Sequence, residues 1–331
     1  MFDRYPLLHP DRHGLITRRG ARAAGLDDAD LRHLVKHGRL IRMRRGVFVE
    51  AEHWNMLDEF RGRPLLRVRA AQESLQRDHV LSHDSAALVL ELGCPDPRTA
   101  LVHVTRPKVH GDADRAGIKH HLAPYSADQV LVVDGLQVLD PARTALDMAR
   151  EHGLVAGVAC CDAALRRGAT CTDLDRARQA MRCWPGSRVM DAAVRLADRG
   201  AESWLESEAR VFVTSLGIGR PQTQFGLTDG SRTVWCDMRV GRHIFEADGR
   251  LKYTAANALG QDPEAVLWNE KERQDFILGF KLGVSRITAF DCRAGARAAR
   301  QRLLREHADT CARFGTDISD LAPYVVRRTG P

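Results

Sequence analysis

The stretch TVWCDMRVGRHIFEADGRLKY, residues 233–253, decides how the C-terminal part of the chain folds. It predicts two short strands joined at Gly241-Arg242, because glycine at the first of two loop residues suits a type II′ hairpin turn. In the resulting register one face is mostly apolar and suited to a core. Its cross-strand pairs are Val240 with His243, Met238 with Phe245, and Cys236 with Ala247.

The opposite face of this hairpin collects acidic residues. The same register sets Asp237 directly across from Glu246 and places Asp248 one pleat further along. Like charges about 5 Å apart across two strands are destabilising, so their placement needs a reason. Mg²⁺ favours oxygen ligands and is commonly bound by one or two carboxylates together with phosphate oxygens. We therefore predict a magnesium site held by Asp237, Glu246 and Asp248; the alternative is a solvated acidic face on an edge hairpin.

Composition describes an ordinary globular protein. The 331 residues are 44% hydrophobic and 28% charged, which suits two or three domains. No apolar run is long enough for a membrane span, and the start, MFDRYPLLHPDRH, has no hydrophobic region typical of a secretory signal. The eight cysteines form no CxxC pair. They are expected to be reduced thiols, so the sequence predicts a cytoplasmic protein without a membrane partner.

Positive charge is concentrated near the N-terminus. The net charge is +7, and residues 1–49 hold eleven arginines and lysines against five aspartates. A basic segment suits a polyanionic partner. The preference for arginine over lysine can also be inherited from genome composition, so the positions of the charges must decide between these explanations.

Those positions predict a winged helix-turn-helix over residues 1–52. Thr17 can cap a first helix that Gly25 ends, and Asp27 or Asp28 can cap a second helix that Gly38 ends. In the second helix Leu31, Leu34 and Val35 form an apolar stripe at helical spacing. The following LIRMRRGVFV, residues 40–49, alternates around Arg44-Arg45-Gly46 like a small hairpin.

In a winged helix-turn-helix the second helix enters the major groove, and the wing contacts phosphates. We therefore predict that this module binds double-stranded DNA. The residues expected to contact it are Arg18, Arg19, Arg32, His33, Lys36, Arg42, Arg44 and Arg45. The alternatives are a solvated basic face and a winged helix used for protein contact.

The N-terminal segment resembles a known family. GLITRRGARAAGLDDADLRHLVKHGRLIRMRRGVFV, residues 14–49, is similar to the N-terminal domain of AbiEi-type antitoxins of type IV toxin–antitoxin and phage-abortive systems. Residues 60–172 resemble the core domain that follows in such proteins, through LSHDSAA, VHVTRP, VDGLQV and PARTALDMA in that order. The resemblance implies a DNA-binding regulator and a cognate toxin encoded nearby.

The sequence predicts no catalytic chemistry in this middle domain. Ser82-His83-Asp84 contains the residue types of a hydrolase triad, but neighbours on a helix cannot converge on one another. His120 and His121 should point to opposite faces of a strand. Modest candidates for further DNA contacts are Lys108, His110 and Arg115, in a predicted polar loop.

The C-terminal domain, residues 201–331, follows a helical connector over 173–200. From Ala201 to Cys292 it resembles the Vsr-like branch of the PD-(D/E)xK endonuclease fold, through S-x-L-E at 203–206, R-P-Q at 220–222 and E-x-D-G-x-x-K at 246–252. The resemblance implies Mg²⁺-dependent phosphodiester hydrolysis. It implies a catalytic set of Glu206, Asp237, Glu246, Asp248 and Lys252.

Two departures from that pattern leave alternatives open. Asp248 stands where the wider fold usually has lysine, and the Vsr-like branch commonly has histidine where this chain has Lys252. Lys252 is therefore a displaced catalytic lysine, a sign of decay into a binding module, or a solvated lysine.

The sequence thus predicts an α+β protein with three parts: a winged helix-turn-helix, an AbiEi-like α/β middle domain and a restriction-endonuclease-like domain. The predicted function is a DNA-binding regulator of the AbiEi antitoxin type that carries a nuclease-like domain. The alternatives are an active DNA endonuclease of phage defence or repair, targeted by its winged helix, and a protein-interaction module. Oligomeric state stays open.

Overall fold

A computed structural model describes residues 8–75, 78–107, 113–249 and 263–326 of the chain. The chain divides into two compact units, Met1–His152 and Gly153–Pro331. Both units mix helices with sheets, which confirms the predicted α+β class. Within the described ranges no helix is both long enough and apolar enough to cross a bilayer.

The first unit begins with two helices and a three-stranded antiparallel sheet of order β1-β3-β2. The elements are β1 Leu15–Thr17, α1 Arg18–Ala23, α2 Asp28–Lys36, β2 Leu40–Arg44, β3 Val47–Glu50, α3 Ala51–Met56 and α4 Gly62–Gln72. The predicted order of helix, turn, helix and hairpin is therefore present, with one short strand added before it.

The helix ends follow the predicted capping residues. Thr17 Oγ1 accepts a hydrogen bond from the Gly20 backbone N–H at 3.0 Å and starts α1. The Asp27 carboxylate accepts from the backbone N–H groups of Ala29 and Asp30, at 2.7 and 2.8 Å, and starts α2. Each bond satisfies an N–H that would otherwise lack a partner in the first turn.

The small sheet is buried on both faces. One face packs against α1 and α2, with Leu31 and Leu34 in the same core cluster as Phe48. On the other face, Leu15, Val47 and Val49 share a cluster with Leu66 and Ala70 of α4. The N-terminal elements thus share a core with the helix that follows them.

The rest of the first unit is a six-stranded sheet of order β6-β7-β5-β4-β9-β8, in which β5/β7 and β4/β9 are parallel pairs. The elements are β4 Val80–Leu81, α5 His83–Val89, β5 Val102–Arg106, β6 Ala113–Arg115, β7 Ile118–Leu122, β8 Val130–Val133, β9 Leu136–Leu139 and α6 Pro141–His152. Strand β6 lies where the sequence predicted a polar loop. Strands β8 and β9 form a hairpin whose turn residues, Asp134 and Gly135, have φ of +48° and +78°.

The second unit joins a helical layer to a five-stranded sheet of order β13-β12-β11-β10-β14. Among the strands described for this sheet, β12 and β13 pair in parallel and the other neighbours pair antiparallel. The elements are α7 Leu154–Arg166, α8 Cys171–Ala180, α9 Ser187–Leu196, α10 Trp204–Ser215, β10 Gln222–Thr228, β11 Thr233–Val240, β12 His243–Ala247, α11 Pro263–Gly279, β13 Gly283–Ile287, α12 Ala289–Cys292, α13 Ala296–Phe314 and β14 Val325–Val326.

Strand β12 lies inside this sheet, between β11 and β13, and is buried on both faces. Phe245 belongs to a cluster with residues of α10 and α13. Its neighbour Ile244 belongs to a second cluster with Ile277 of α11 and Leu282. All five residues of β12 are buried. The alternative of a solvated acidic face on an edge hairpin is therefore wrong.

A buried ionic network ties α7 to α10. The Asp162 carboxylate is fully buried and accepts hydrogen bonds from Ser207 Oγ at 2.7 Å and Arg210 Nη2 at 2.6 Å. Its other oxygen accepts from the Asp198 backbone N–H at 2.7 Å. A buried charge needs this density of partners, because isolated burial is costly.

Candidate functional site

The second helix of the N-terminal module presents basic residues to solvent. Arg32, His33 and Lys36 are exposed on α2, whereas Leu31 and Leu34 are buried. Exposed arginines also occur on α1 and on the β2–β3 hairpin. Among the predicted DNA contacts these are Arg19, Arg42 and Arg45. Six of the eight predicted DNA contacts are therefore accessible from solvent.

The remaining two have partners within the first unit. Arg18 Nε lies 3.3 Å from Asp28 Oδ1, and Arg22 Nη2 lies 3.1 Å from Asp28 Oδ2, so these pairs connect α1 to the start of α2. Arg44 is half-buried, which lowers the pKa of its guanidinium. It donates to the Ala116 carbonyl at 2.9 Å, in the turn before β7.

In the acidic hairpin of the second unit, the register near the turn is as predicted. Val240 pairs with His243, Arg239 with Ile244 and Met238 with Phe245. Gly241 has φ +55°, which favours glycine.

Beyond Met238 the two strands separate, and Asp237 takes a special position. Its Oδ2 accepts the Ala247 backbone N–H at 2.7 Å, in place of a carbonyl of the ladder. Cys236 packs in the cluster of Ile244, whereas Met238 and Ala247 pack in the other cluster. The predicted pairing of Cys236 with Ala247 on one face is therefore wrong, because the alternation inverts at Asp237.

Glu246 is a buried acid with a basic partner. Its Oε1 accepts from Arg273 Nη2 of α11 at 2.9 Å, and the same nitrogen donates to the Trp235 carbonyl. Burial and the charge of Asp237 raise the pKa of Glu246 to about 7, although Arg273 opposes the shift. A buried acid whose pKa is raised by burial and by a neighbouring acid is typical of functional sites. The sequence analysis did not predict Arg273 as part of this group.

Glu206, in the first turn of α10, interacts electrostatically with Asp237. Ser203 Oγ and the Glu202 backbone N–H donate to its two oxygens, at 2.9 and 2.7 Å. Burial raises the pKa of Glu206, and the charge of Asp237 adds to the shift. The nearby Glu208 instead forms a bidentate pair with Arg293, with both distances 2.8 Å. Of the acids around position 206, Glu206 is thus the one coupled to Asp237.

The remaining predicted site residues are only partly described. The Asp248 backbone N–H donates to the Ile287 carbonyl at 2.8 Å and continues the β12–β13 pairing. Lys252, Lys108 and His110 lie outside the described residues. Within the described part of the chain, one group of three histidine, cysteine or carboxylate side chains has ligand atoms within 4.8 Å of one another, and it consists of histidines.

That histidine group lies in the first unit, and the sequence analysis did not predict it. His83 from α5, His103 from β5 and His121 from β7 meet in the interior, with 3, 3 and 6% of their surfaces exposed. Burial lowers the pKa of His103 to about 4, against the opposing charge of Asp84. The sequence did carry a signal for this group. In β5 (VHVT) and β7 (IKHH) successive side chains alternate between the faces, which places His103 and His121 on the same face once the two strands pair in parallel.

Together, these observations define a mixed α+β protein whose N-terminal helix–helix–hairpin module presents a basic surface. Residues 3–51 match the family described as "Transcriptional regulator, AbiEi antitoxin". The match spans 49 of the 331 residues and ends just after β3, so it supports the N-terminal resemblance and leaves the nuclease resemblance a prediction. No curated protein matches the chain.

Proposed function

We propose that this protein is a DNA-binding regulator of the AbiEi antitoxin type, which contacts double-stranded DNA through its N-terminal module. The observation that carries the proposal is the exposed basic face of α2 on a module that matches this family. A cognate toxin encoded nearby belongs to the same proposal.

The geometry of a winged helix-turn-helix gives each basic residue a role. Helix α2 would enter the major groove, where Arg32, His33 and Lys36 reach base edges or flanking phosphates. Arg42 and Arg45 on the hairpin would contact phosphates. Asp28, at the start of α2, is paired with Arg18 and Arg22. This pairing reduces the repulsion between the Asp28 carboxylate and the phosphates of the DNA.

Removing two charges from α2 should weaken DNA binding by about tenfold or more. We expect this for the double variant Arg32→Gln/Lys36→Gln, with a salt dependence shallower by about one to two phosphate contacts. The measurement is fluorescence anisotropy with duplexes selected by the wild-type protein from a randomised pool, over about 50–200 mM salt.

The matched control removes two exposed arginines from the second unit, in Arg176→Gln/Arg188→Gln. It changes the net charge equally and should leave affinity within about twofold, as expected for charges away from the interface. Equal losses in both variants would show that net charge, not the α2 face, drives binding. A wild-type protein that selects no duplex would contradict the proposal and favour a protein-interaction module.

A second candidate function is metal-dependent cleavage of DNA by the second unit. It is supported by the neighbouring acids Asp237 and Glu246. Burial and the charge of Asp237 raise the pKa of Glu246 to about 7, and a divalent cation would stabilise the charged carboxylate against both effects. Asp237, Glu246 and Asp248 would hold Mg²⁺. The ion would polarise a scissile phosphate and lower the pKa of a bound water.

Residues next to Asp237 and Glu246 would hold these metal-binding carboxylates in place. Arg273 would orient Glu246 through the 2.9 Å contact, and the Ala247 N–H would fix the Asp237 carboxylate. Glu206 would add negative charge from α10. Lys252 would stabilise charge on the phosphate oxygens.

Cleavage is tested on supercoiled plasmid with Mg²⁺ or Mn²⁺. The wild-type protein should nick or linearise the plasmid, and Asp237→Asn and Glu246→Gln should each abolish cutting. Asparagine keeps an oxygen that can accept the Ala247 N–H, so the fold should survive. The exposed acid of α13 provides the matched variant Asp309→Asn, which should cut like wild type. If the wild-type protein binds DNA but does not cut it, the cleavage function is refuted and only the DNA-binding regulator proposal remains.

A further inference from the structure

The three buried histidines of the first unit converge from three separate elements. Each offers a ring nitrogen, and these nitrogens lie within 4.8 Å of one another. The rings of His83 and His121 stack at 3.7 Å with an interplanar angle of 12°, and His103 Nδ1 lies 3.0 Å from His121 Nε2. Neighbouring positions in the sequence do not produce this group; the parallel register of β5 and β7 does.

The outward nitrogens of two of these rings have polar partners. Asp84 Oδ2 lies 3.4 Å from His103 Nε2, and Ser82 Oγ lies 3.0 Å from His83 Nδ1. A carboxylate on Nε2 fixes the proton there and leaves the lone pair of His103 Nδ1 pointing inward. Ser82 Oγ occupies the Nδ1 side of His83, which leaves Nε2 as the nitrogen of His83 that a metal ion would take. His103 Nδ1 and His121 Nε2 lie at hydrogen-bond distance, so the proton between them would have to leave before both nitrogens could bind an ion.

Asp84 is itself held in place. His152 Nε2 lies 2.9 and 2.8 Å from its two oxygens, and Cys94 Sγ donates to it at 2.9 Å. Asp84 is buried, with 3% of its surface exposed. A carboxylate that orients a histidine and is oriented by further groups is the usual support of a histidine metal ligand.

His83 also has an unusual backbone. Its φ of +47° lies in the left-handed region, although it is not glycine and begins α5. L-residues rarely adopt this conformation, and such positions concentrate at ligand sites. The conformation turns the His83 ring toward His121, where the two rings stack.

From this geometry we propose that His83, His103 and His121 bind one zinc ion. Imidazole nitrogen suits Zn²⁺, whereas Mg²⁺ and Ca²⁺ prefer oxygen. Tetrahedral zinc with bonds of about 2.0–2.1 Å separates its nitrogen ligands by roughly 3.3 Å. The three nitrogens, which lie within 4.8 Å of one another, would therefore have to draw together, and the stacked rings of His83 and His121 would have to tilt until both lone pairs reach one ion. The cation would take the place of the proton shared by His103 and His121, which would leave with solvent.

The site would join α5, β5 and β7 around one ion. Asp84 beside His103 would balance part of its charge. Asp147, whose Oδ1 lies 3.8 Å from His83 Nε2, already pairs with Arg143 and Arg150. Three histidine ligands leave a fourth position for water. This inference does not depend on the proposed DNA-binding function, since none of its residues belongs to α2 or to the β2–β3 hairpin.

The test uses the full-length protein after removal of metals with a chelator. We expect one Zn²⁺ per chain, measured by competition with a chromophoric chelator. Co²⁺ in the same site should give the visible absorption of a tetrahedral ion without a thiolate charge-transfer band. Failure to bind one ion per chain would overturn the proposal. A thiolate band would also overturn it, because it would place the metal on cysteines.

The matched pair of variants is His121→Gln and His120→Gln, at neighbouring positions of β7. His121→Gln removes a direct ligand. It should therefore lower zinc affinity by about 100-fold or more, at least as much as the largest losses caused by removing a group that supports a ligand. His120→Gln should change it less than about threefold. Equal affinities in the two variants would refute the assignment. If His121→Gln does not fold, Asp84→Asn should still lower affinity by about 10–100-fold, and unchanged affinity there would count against the site.

Discussion

Replacing Arg210 by methionine is expected to lower the free energy of unfolding of the second unit by about 3–5 kcal/mol, because it leaves a buried carboxylate without its cation. Arg210 Nη2 lies 2.6 Å from Asp162 Oδ2, and both side chains are buried. Burial already raises the pKa of Asp162, and Arg210 opposes that shift. Ser207 and the Asp198 N–H would remain, but two neutral donors cannot replace a guanidinium.

This loss can be followed by urea unfolding with tryptophan fluorescence. Four of the five tryptophans, at positions 184, 204, 235 and 268, lie in the second unit, so the signal reports mainly on it. Adding Asp162→Asn to Arg210→Met should recover part of the stability, since it removes the stranded charge. The exposed Arg297→Met should stay within about 0.5 kcal/mol of wild type. A loss below about 1 kcal/mol for Arg210→Met would mean that Asp162 does not need its cation.

The second unit should lose stability as pH rises through the range in which Glu246 ionises. The folded-state pKa of about 7 lies above the ordinary value of 4.5, so between these values the folded chain retains a proton that the unfolded chain releases. The contribution is complete below about pH 4.5 and is lost as pH rises to about 7, by roughly 3 kcal/mol in total. This holds for the metal-free protein, so a chelator is present throughout.

Glu246→Gln removes this dependence while keeping an oxygen for Arg273. We expect the variant to be more stable than wild type by about 2–3 kcal/mol near pH 8, and within about 0.5 kcal/mol near pH 4.5. Urea unfolding at several pH values measures both limits. The variant Asp309→Asn should keep the wild-type slope. Identical slopes for Glu246→Gln and wild type would show that burial does not hold this carboxyl protonated.

Local chemistry made the N-terminal module and the turn of the acidic hairpin predictable. Thr17 and Asp27 cap helices because their side-chain oxygens have backbone N–H partners within three residues. Gly241 fixes the register of the three pairs nearest the turn. Further from the turn, the register depends on what packs around it. At Asp237 the alternation of side chains between the two faces of β11 inverts, so Cys236 and Met238 pack in different core clusters. Nothing in the sequence of β11 predicts this change.

The elements that sequence reasoning missed depend on long-range pairing. Strand β10 has a polar, glycine-containing sequence and a positive φ at Gln224, so neither alternation nor propensity identified it. The partner of Glu246, Arg273, comes from a helix 27 residues away. His103 and His121 become neighbours only because β5 and β7 pair in parallel. Adjacent residues in the sequence are a poor guide to such clusters.

The shared core of the N-terminal elements bears on where this chain can be cut. The outer face of the small sheet is covered by Leu66 and Ala70 of α4, and Arg44 is anchored to the turn before β7. A fragment ending at residue 52 would expose Leu15, Val47 and Val49 to water as one hydrophobic patch that favours aggregation. The compact unit Met1–His152, rather than a fragment ending at residue 52, is therefore the piece suited to crystallisation or to transplantation onto another protein.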